Sequence, residues 1–304
     1  MKTNTIPPSC ALCQKNEFAF IAEEEVNGEK LCIQKCTSCG LHIVWPRLEN
    51  HQEPYSKFTE ETFDRKYGAI SRGERLHDRH QNYLEEVGLV RKYAGTGSRV
   101  LDVGCNAGWL LGYLKNAGFA IEGVEPSTFL AGVAHRRTGA TIHNGFLHEI
   151  ADRDGTFDCI TATDVIEHIP PESINLFISS MHRLLKPGGY TIIKTPNVHF
   201  TYAKHRIINK FPKSLRRHLL KSLDLWDAKE HVLQWDSMTL AAMFRKRGLE
   251  PITVFTPIPV ETRNSPMIPM IMRKILYMAS KVKKNNQRVP WFAQDICLIA
   301  QRGK

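Results

Sequence analysis

The chain has 304 residues, of which 42% are hydrophobic and 24% are charged, and these proportions are typical of a globular protein and exclude a disordered one. No stretch reaches the roughly 20 consecutive apolar residues of a membrane-spanning helix, and the first residues lack the basic segment and apolar core of a secretory signal. The eight cysteines are therefore expected to be reduced thiols in a cytoplasmic protein. The formal net charge of +10 indicates either a basic face for an anionic partner or ordinary solubility charge.

Two Cys-x-x-Cys pairs mark the N-terminal region. Cys10 and Cys13 form the first pair, and Cys36 and Cys39 form the second after 22 intervening residues. Zn²⁺ takes four thiolates in a tetrahedral array, and each tight turn can supply two of them. Strands are predicted over residues 18–25 and 30–34, around an Asn-Gly turn. The sequence therefore predicts a zinc ribbon with a structural metal ion, and a disulfide framework is the alternative.

The role of this ribbon has two readings. A module of ~40 residues has too little core to fold without metal, which favours a structural cap. The other reading is a binding module for nucleic acid or for a carrier protein. Cys32 is a fifth cysteine that either packs on the ribbon or replaces one of the four ligands.

The region that follows the ribbon is predicted to contain one helix. Residues 50–72 are polar and aromatic with few helical signals, and we interpret them as a connecting segment over the mouth of the site. Residues 73–93 predict a helix, since apolar side chains recur at helical spacing. These side chains are Leu76, Tyr83, Leu84, Val87 and Val90.

Strands and helices then alternate, which predicts an α/β fold with a doubly wound parallel sheet. The predicted strands cover residues 99–103, 120–124, 140–143, 157–163, 189–194, 251–255 and 295–300, and the predicted helices cover 108–117, 128–138, 172–185 and 240–246. The last of these helices is expected to be capped at Asp236 and to end at Gly248.

A glycine-rich turn after the first of these strands is the most informative motif. Gly104, Asn106 and Gly108 follow Asp102 at a spacing of two, so backbone N–H groups are expected to approach a ligand closely. Glu125 lies 23 residues after Asp102, at the end of the second strand, where a carboxylate can accept hydrogen bonds from two ribose hydroxyls. Dinucleotide and phosphate sites carry similar turns, so the motif alone leaves the ligand open.

Four motifs in order make residues 96–200 similar to the class I S-adenosylmethionine-dependent methyltransferases. They are the turn itself, GVEPS at 123–127, FDCITATDVIEH at 157–168 and LLKPGG at 184–189. Residues 39–47 resemble the entry to zinc-ribbon methyltransferases of glycan and small-metabolite pathways. The resemblance implies a Rossmann-like sheet of seven strands with the last one antiparallel. A nicotinamide-dinucleotide domain is the alternative.

The resemblance also assigns cofactor-binding residues. It implies that Asp102 and the turn bind the methionine part of the cofactor, that Glu125 binds the ribose, and that Phe146 lies near the adenine. The full set is Asp102, Gly104, Cys105, Asn106, Gly108, Glu125, Pro126, Phe146 and Asp164. Asn106 departs from the usual glycine, but asparagine also tolerates a left-handed backbone. No acidic residue follows Gly145 directly, so adenine recognition there is expected to rest on backbone and packing.

A cluster at the end of the fourth strand is the candidate for catalysis. Asp164, Glu167 and His168 are spaced by three and four residues, so their side chains are expected to meet at the transferred methyl group. His168 is the candidate general base. The cluster also resembles the divalent-metal site of ubiquinone-pathway and small-RNA methyltransferases, where His231 or His199 would complete the ligand set. The third reading is that Glu167 and His168 only order the loop, and His231 likewise has a loop-orienting alternative.

Two basic insertions, at residues 202–230 and 257–290, interrupt the α/β pattern. Both combine apolar residues at helical spacing with many Lys and Arg residues. We interpret them as helical insertions that form a lid or a dimer contact. The alternatives are a membrane surface, bound peripherally, and an RNA contact.

These observations lead to one functional hypothesis. The zinc ribbon is assigned to residues 1–49, a connecting segment with a helix to 50–95, and the methyltransferase domain to 96–304. The expected reaction is O-methylation of a small or medium metabolite, such as a sugar, lipid-linked or polyketide-like acceptor that is anionic or carrier-linked. RNA methylation, C- or N-methylation of a small molecule, and a catalytically silent binding protein are the alternatives.

Overall fold

The computed structural model describes residue 7 and residues 9–26, 28–48, 58–212, 226–259 and 293–304. The strands in these ranges are β1 (Phe18–Val26), β2 (Glu29–Cys36), β3 (His42–Trp45), β4 (Arg99–Val103), β5 (Ala120–Glu125), β6 (Thr141–Asn144), β7 (Phe157–Thr163), β8 (Leu185–Pro196), β9 (Leu233–Gln234), β10 (Leu249–Phe255) and β11 (Asp295–Arg302). The helices are α1 (Glu60–Ser71), α2 (His80–Ala94), α3 (Trp109–Asn116), α4 (Thr128–Thr138), α5 (Ile174–Leu184), α6 (Val198–Ile208) and α7 (Ser237–Arg245).

Seven strands form the central sheet in the order β10-β11-β8-β7-β4-β5-β6. The pairs among β4, β5, β6, β7 and β8 are parallel, and β11 is antiparallel to both β8 and β10. This order confirms the predicted doubly wound, Rossmann-like sheet and its antiparallel last strand. The order reverses between β4 and β7, which is where open α/β sheets bind their ligands.

Helices cover both faces of this sheet, because its central strands are apolar on both sides. Val100 of β4 packs in a cluster with helices α1 to α4, whereas Leu101 packs on the opposite face with α5 and α7. Asp236 caps α7 by accepting hydrogen bonds from Met238 N and Thr239 N, as predicted. Among the described helices, none is long and apolar enough to cross a bilayer.

The ribbon forms a second sheet, and a distant strand completes it. The order is β1-β2-β3-β9, and β9 belongs to the segment that precedes α7. Cys10, Leu12 and Leu41 of the ribbon pack in the same apolar cluster as Trp235 and Phe244. The ribbon is therefore fused to the sheet-and-helix body through a shared core.

One sequence prediction between the ribbon and β4 is wrong. Residues 60–71, interpreted as connecting segment, form α1, which Thr59 caps by accepting a hydrogen bond from Thr62 N. Phe63 and Ile70 bury one face of that helix, and this apolar spacing was the signal available in the sequence. The helix predicted over 73–93 begins only at His80.

The two predicted insertions are described only in part. Helix α6 runs into the first one and ends at Ile208. Residues 213–225 and 260–292, which contain most of the predicted basic stripes, lie outside the described residues.

Candidate active site

A cleft of about 920 Å³ opens at the carboxyl ends of the parallel strands, beside the point where the strand order reverses. It brings together eleven of the residues predicted from the sequence. These are Asp102, Gly104, Cys105, Asn106, Glu125, Pro126, Phe146, Asp164, Glu167, His168 and His231. Gly108 does not line the cleft. It caps α3 at a φ of +73°, and a Cβ there would lie 3.1 Å from the Cα of Ala134, so its role is packing.

The backbone of the glycine turn requires unusual residues at two positions. Gly104 has a φ of +67°, and a Cβ there would lie 2.6 Å from the Cγ2 of Val165. Asn106 has a φ of +52°, so the asparagine takes the left-handed conformation expected of the glycine that it replaces. Its Oδ1 accepts a hydrogen bond from the N–H of Ala107 at 2.7 Å, which stabilises this local geometry.

The expectation that the N–H groups of this turn face a ligand is wrong. The N–H groups of Gly104 and Cys105 donate to the carbonyl of Val124 at 2.9 and 3.0 Å. The N–H of Asn106 donates to Glu125 Oε2 at 2.9 Å. The neighbouring strand β5 therefore occupies these donors, and the acidic side chains of Asp102 and Glu125 line the cleft beside them. Such a lining suits a cation rather than a phosphate.

Three buried carboxylates give the cleft the same preference. Burial raises the pKa of Asp102 to about 8 and that of Glu86 to about 7, and it also raises the pKa of Glu125. Asp102 accepts a hydrogen bond from Thr161 Oγ1 at 2.8 Å. A cationic ligand would favour their ionised forms, since an opposite charge nearby lowers a carboxyl pKa. The sulfonium and ammonium groups of S-adenosylmethionine fit the three carboxylates of this part of the lining.

Phe146, the residue expected near the adenine, lines the cleft and is 43% exposed. Its N–H donates to Glu149 Oε2 at 2.6 Å, so the nearest acidic side chain is engaged by the backbone. The ring stacks on His148, with 6.0 Å between centroids. The packing of Phe146 on the adenine stays a prediction.

On the opposite side of the cleft, two histidines lie edge to face. The ring centroids of His168 and His231 are 4.9 Å apart. His168 Nδ1 lies 3.0 Å from the carbonyl oxygen of Glu230, so this nitrogen carries the proton and donates it. Burial lowers the pKa of His168 and lowers that of His231 to about 4. Both imidazoles are therefore neutral at pH 7, and the tautomer of His168 makes Nε2 its basic atom.

Glu167 lies beneath this pair. Its Oε2 accepts a hydrogen bond from Thr195 Oγ1 at 2.8 Å, whereas Oε1 is buried and has no hydrogen-bond partner among the described residues. Burial, reinforced by the nearby charge of Asp164, raises the pKa of Glu167 well above its usual value. One ligand atom from each of Glu167, His168 and His231 lies within 4.8 Å of the others. The unpartnered oxygen fits either a retained proton or a cation.

Asp164 lies apart from this cluster, contrary to the metal set predicted from the sequence. Its carboxylate forms an ion pair with Arg79 of the segment before α2. Burial alone would raise its pKa, but Arg79 and Lys194 hold the pKa of Asp164 below the usual value. His231, one of the two histidines expected to complete the ligand set, does lie in the cluster. His199, the alternative histidine, lies 3.5 Å from Asp236 and does not line the cleft.

Residues 50–72 were expected to lie over the mouth of the site, and Tyr67 does line the cleft, but the aromatic contacts of this wall were not predicted. Tyr67 stacks on His77, whose ring centroid lies 5.1 Å from that of Trp109. The guanidinium of Arg137 lies 3.4 Å from the Trp109 ring centroid. Tyr67 lies in α1, which was not predicted as a helix. His77 lies in the segment after α1, where a helix was predicted instead. Their clustering with Arg79 around one cleft arises from tertiary packing.

The four predicted zinc ligands meet at one point of the ribbon. Cys10 Sγ lies 3.4 Å from Cys39 Sγ, and Cys13 Sγ lies 3.5 Å from Cys36 Sγ. One Sγ from each of the four lies within 4.8 Å of the others, and Cys32 is not a member of this cluster. Four thiols in this arrangement fit a tetrahedral Zn²⁺ ion. Cys32 is buried instead on the strand β2.

Comparison with known proteins gives similar folds and partial sequence matches. The ubiquinone biosynthesis O-methyltransferases of Paraburkholderia xenovorans and Dechloromonas aromatica are 33% and 35% identical over 34% and 40% of this chain. These matches cover 46% and 53% of the relatives, so the chain spans about half the length of the curated relatives that it matches. The magnesium protoporphyrin IX methyltransferase of Synechocystis has a TM-score of 0.53 and 17% identity, over 84% of this chain and 100% of that one. At that identity the likeness shows the fold alone.

The family assignment rests on a longer match. The model of a family described as a methyltransferase domain matches residues 75–254, which is more than half of the chain. This range contains the glycine turn, Glu125 and the cluster around His168. The chain therefore belongs to the methyltransferase domain family.

Proposed function

We propose that this protein is an S-adenosylmethionine-dependent methyltransferase that methylates a hydroxyl group of a small or medium metabolite. The observation that carries the proposal is the neutral His168, which is held in one tautomer by the Glu230 carbonyl and shares a cleft with Asp102 and Glu125. The partial similarity of the chain to ubiquinone biosynthesis O-methyltransferases supports an oxygen acceptor.

The cofactor would lie along the carboxyl ends of β4 and β5. The carboxylate of Asp102 suits its ammonium group, and Glu125 suits the ribose hydroxyls. Phe146 would pack on the adenine. When bound, S-adenosylmethionine supplies a methyl group on a cationic sulfur to an in-line nucleophile.

His168 would remove the proton of the acceptor hydroxyl as its oxygen attacks. The Glu230 carbonyl holds the Nδ1 proton, so Nε2 can accept a proton and the resulting imidazolium gains a charge-assisted hydrogen bond. Burial keeps His168 unprotonated at neutral pH, so the base is ready before the acceptor binds. His231 packs against the ring and restricts its orientation.

A divalent cation held by Glu167, His168 and His231 is a second form of the same proposal. The buried, unpartnered Oε1 of Glu167 favours it. Such an ion would polarise the acceptor hydroxyl and lower its pKa, which would leave less work for a base. A purely structural role for these residues is the third reading. The variant His168→Ala would keep its turnover only under this reading, and would lose it under the other two.

The lining of the acceptor side indicates the kind of metabolite. Ile169, Pro170, Leu176 and Phe177 give that side an apolar wall. Lys66 and Arg75 add positive charge to the same cleft. These residues support an acceptor with an apolar part and an anionic or carrier-linked group.

Transfer of a labelled methyl group to fractionated cell extract tests this proposal. We expect wild-type protein with methyl-labelled S-adenosylmethionine to label a nuclease-resistant, small-molecule fraction. The chemical shift of the ¹³C-methyl carbon should be that of a methyl group on oxygen. Label in nuclease-sensitive material, or a methyl carbon bound to nitrogen or carbon, would contradict the proposal.

A further inference from the structure

The segment that carries Glu230 and His231 is attached to the zinc ribbon at both ends. At its start, the carboxylate of Glu24 in β1 accepts hydrogen bonds from the N–H groups of Trp226, at 2.9 Å, and Ala228, at 3.1 Å. At its end, the N–H of Val44 donates to the carbonyl of Val232 at 3.0 Å, and β9 pairs with β3. The ribbon therefore holds this segment in place, although Glu24 and Trp226 are 202 residues apart in the sequence.

Between these attachments the segment forms a tight turn that faces the catalytic histidine. The N–H groups of Glu230 and His231 both donate to the carbonyl of Asp227, at 3.1 and 2.8 Å. The carbonyl of Glu230 then lies 3.0 Å from His168 Nδ1. Asp227 lies between Trp226 and Ala228, the two residues whose N–H groups Glu24 binds. The bonds to Glu24 therefore fix the position of the Asp227 carbonyl, on which the turn is built.

We propose that Glu24 is a positioning residue for catalysis, which acts by fixing the turn at residues 226–231 so that Glu230 and His231 orient His168. This inference rests on the proposed methyl transfer. It gives the ribbon a role beyond that of a cap, since the metal-bound module becomes the support of one wall of the active site.

The chemistry of Glu24 suits this role. Its two oxygens bind two different N–H groups, and Trp226 packs beside it in the ribbon core with Ala22, Leu31 and Val44. A glutamine can accept one of these hydrogen bonds but presents N–H groups to the other donor. The neighbouring Glu23 forms an ion pair with Lys30 at 3.0 Å on the exposed side of the hairpin. Glu23→Gln is therefore a matched control.

The test compares Glu24→Gln and Glu23→Gln with the wild type, using the full chain with zinc bound. Hydrogen exchange should increase at residues 226–231 in Glu24→Gln alone, and exchange in the ribbon itself should not change. We expect kcat to fall by roughly 10- to 100-fold, since a displacement of ~1 Å has effects of this size. The affinity for S-adenosylhomocysteine and the zinc content should remain within about twofold of the wild type.

The possible results distinguish a failure of the inference about Glu24 from a failure of the proposed function. An active wild type beside an equally active Glu24→Gln variant would overturn the inference alone. An increase in exchange over the whole ribbon and sheet, with proportional loss of zinc, would also overturn it, because Glu24 would then support only the fold. A wild type that transfers no methyl group to any fraction would overturn the proposed function instead.

Discussion

Replacing His168 with alanine is expected to lower kcat by about 10²- to 10⁴-fold, the range of a lost general base. The affinity for S-adenosylhomocysteine should change by less than about twofold, because His168 is not among the predicted cofactor contacts. His182→Ala, on helix α5 outside the cleft, is the control and should retain full turnover. Stopped assays for turnover and titration calorimetry for binding measure the two effects separately. Turnover near the wild-type rate in His168→Ala would reduce His168 to a structural role.

The pH dependence of kcat tests the role of His168 as a base in a second way. Burial lowers the pKa of His168 below its ordinary value of 6.5, so the imidazole stays unprotonated from neutral pH to below that value. With saturating S-adenosylmethionine, whose positive charge favours the ionised forms of Asp102 and Glu86, the wild-type kcat should therefore be flat near pH 7 and should fall only as the pH drops through the lowered pKa of His168. His168→Ala should lose this acidic limb. A wild-type limb above pH 6.5 would contradict the assignment.

Removal of the zinc ion that we propose for the four clustered cysteines is expected to have the largest effect on stability. Cys10 and Cys36 are buried in the same apolar cluster as Trp235 and Phe244, so unfolding of the ribbon would expose part of the main core. We expect Cys36→Ser, or extraction of zinc by a chelator, to lower the free energy of unfolding by more than about 4 kcal/mol. Denaturant unfolding and metal analysis of the purified protein measure this loss.

Cys32 supplies the control for the zinc assignment. It lies on β2 with Cys36 but outside the cluster of four, so Cys32→Ser should keep one zinc ion per chain and unfold near the wild-type midpoint. Loss of zinc from Cys32→Ser, or full zinc content in Cys36→Ser, would show that the ligand set is assigned wrongly.

The parts of the fold that local sequence determines were predictable. Strands β4, β5 and β7 and helix α4 lie within one or two residues of their predicted bounds, because apolar runs and turn residues delimit them. The left-handed Asn106 was predictable for the same reason, since a local backbone preference decides it.

Features that depend on distant contacts were not predictable. Strand β9 has two residues and exists because it pairs with β3, and no pattern within two residues can signal this. The bonds from Glu24 to residues 226 and 228 likewise join segments far apart in the sequence. Asp164, which spacing alone placed with Glu167 and His168, is instead held by Arg79, which lies 85 residues earlier.

The direction of the turn's N–H groups shows a second limit. The glycine spacing correctly predicted a tight turn, but Val124 and Glu125 of the neighbouring strand accept the hydrogen bonds of its first three residues. The sequence contains those acceptors without revealing their orientation. With these N–H groups engaged, the carboxylates of Asp102 and Glu125 in the lining favour a cationic ligand over a phosphate.

Titration of the protein with S-adenosylhomocysteine, which shares the ammonium and ribose groups of the cofactor, tests the central claim most directly. We predict one site per chain, and we expect Glu125→Gln to weaken binding by roughly 10- to 100-fold, the range of a lost charge-assisted hydrogen bond of about 1.5–3 kcal/mol. Glu122→Gln, on the same strand but outside the cleft, should bind like the wild type. Absence of binding to the wild type, or equal affinity in Glu125→Gln, would contradict this account of the cleft.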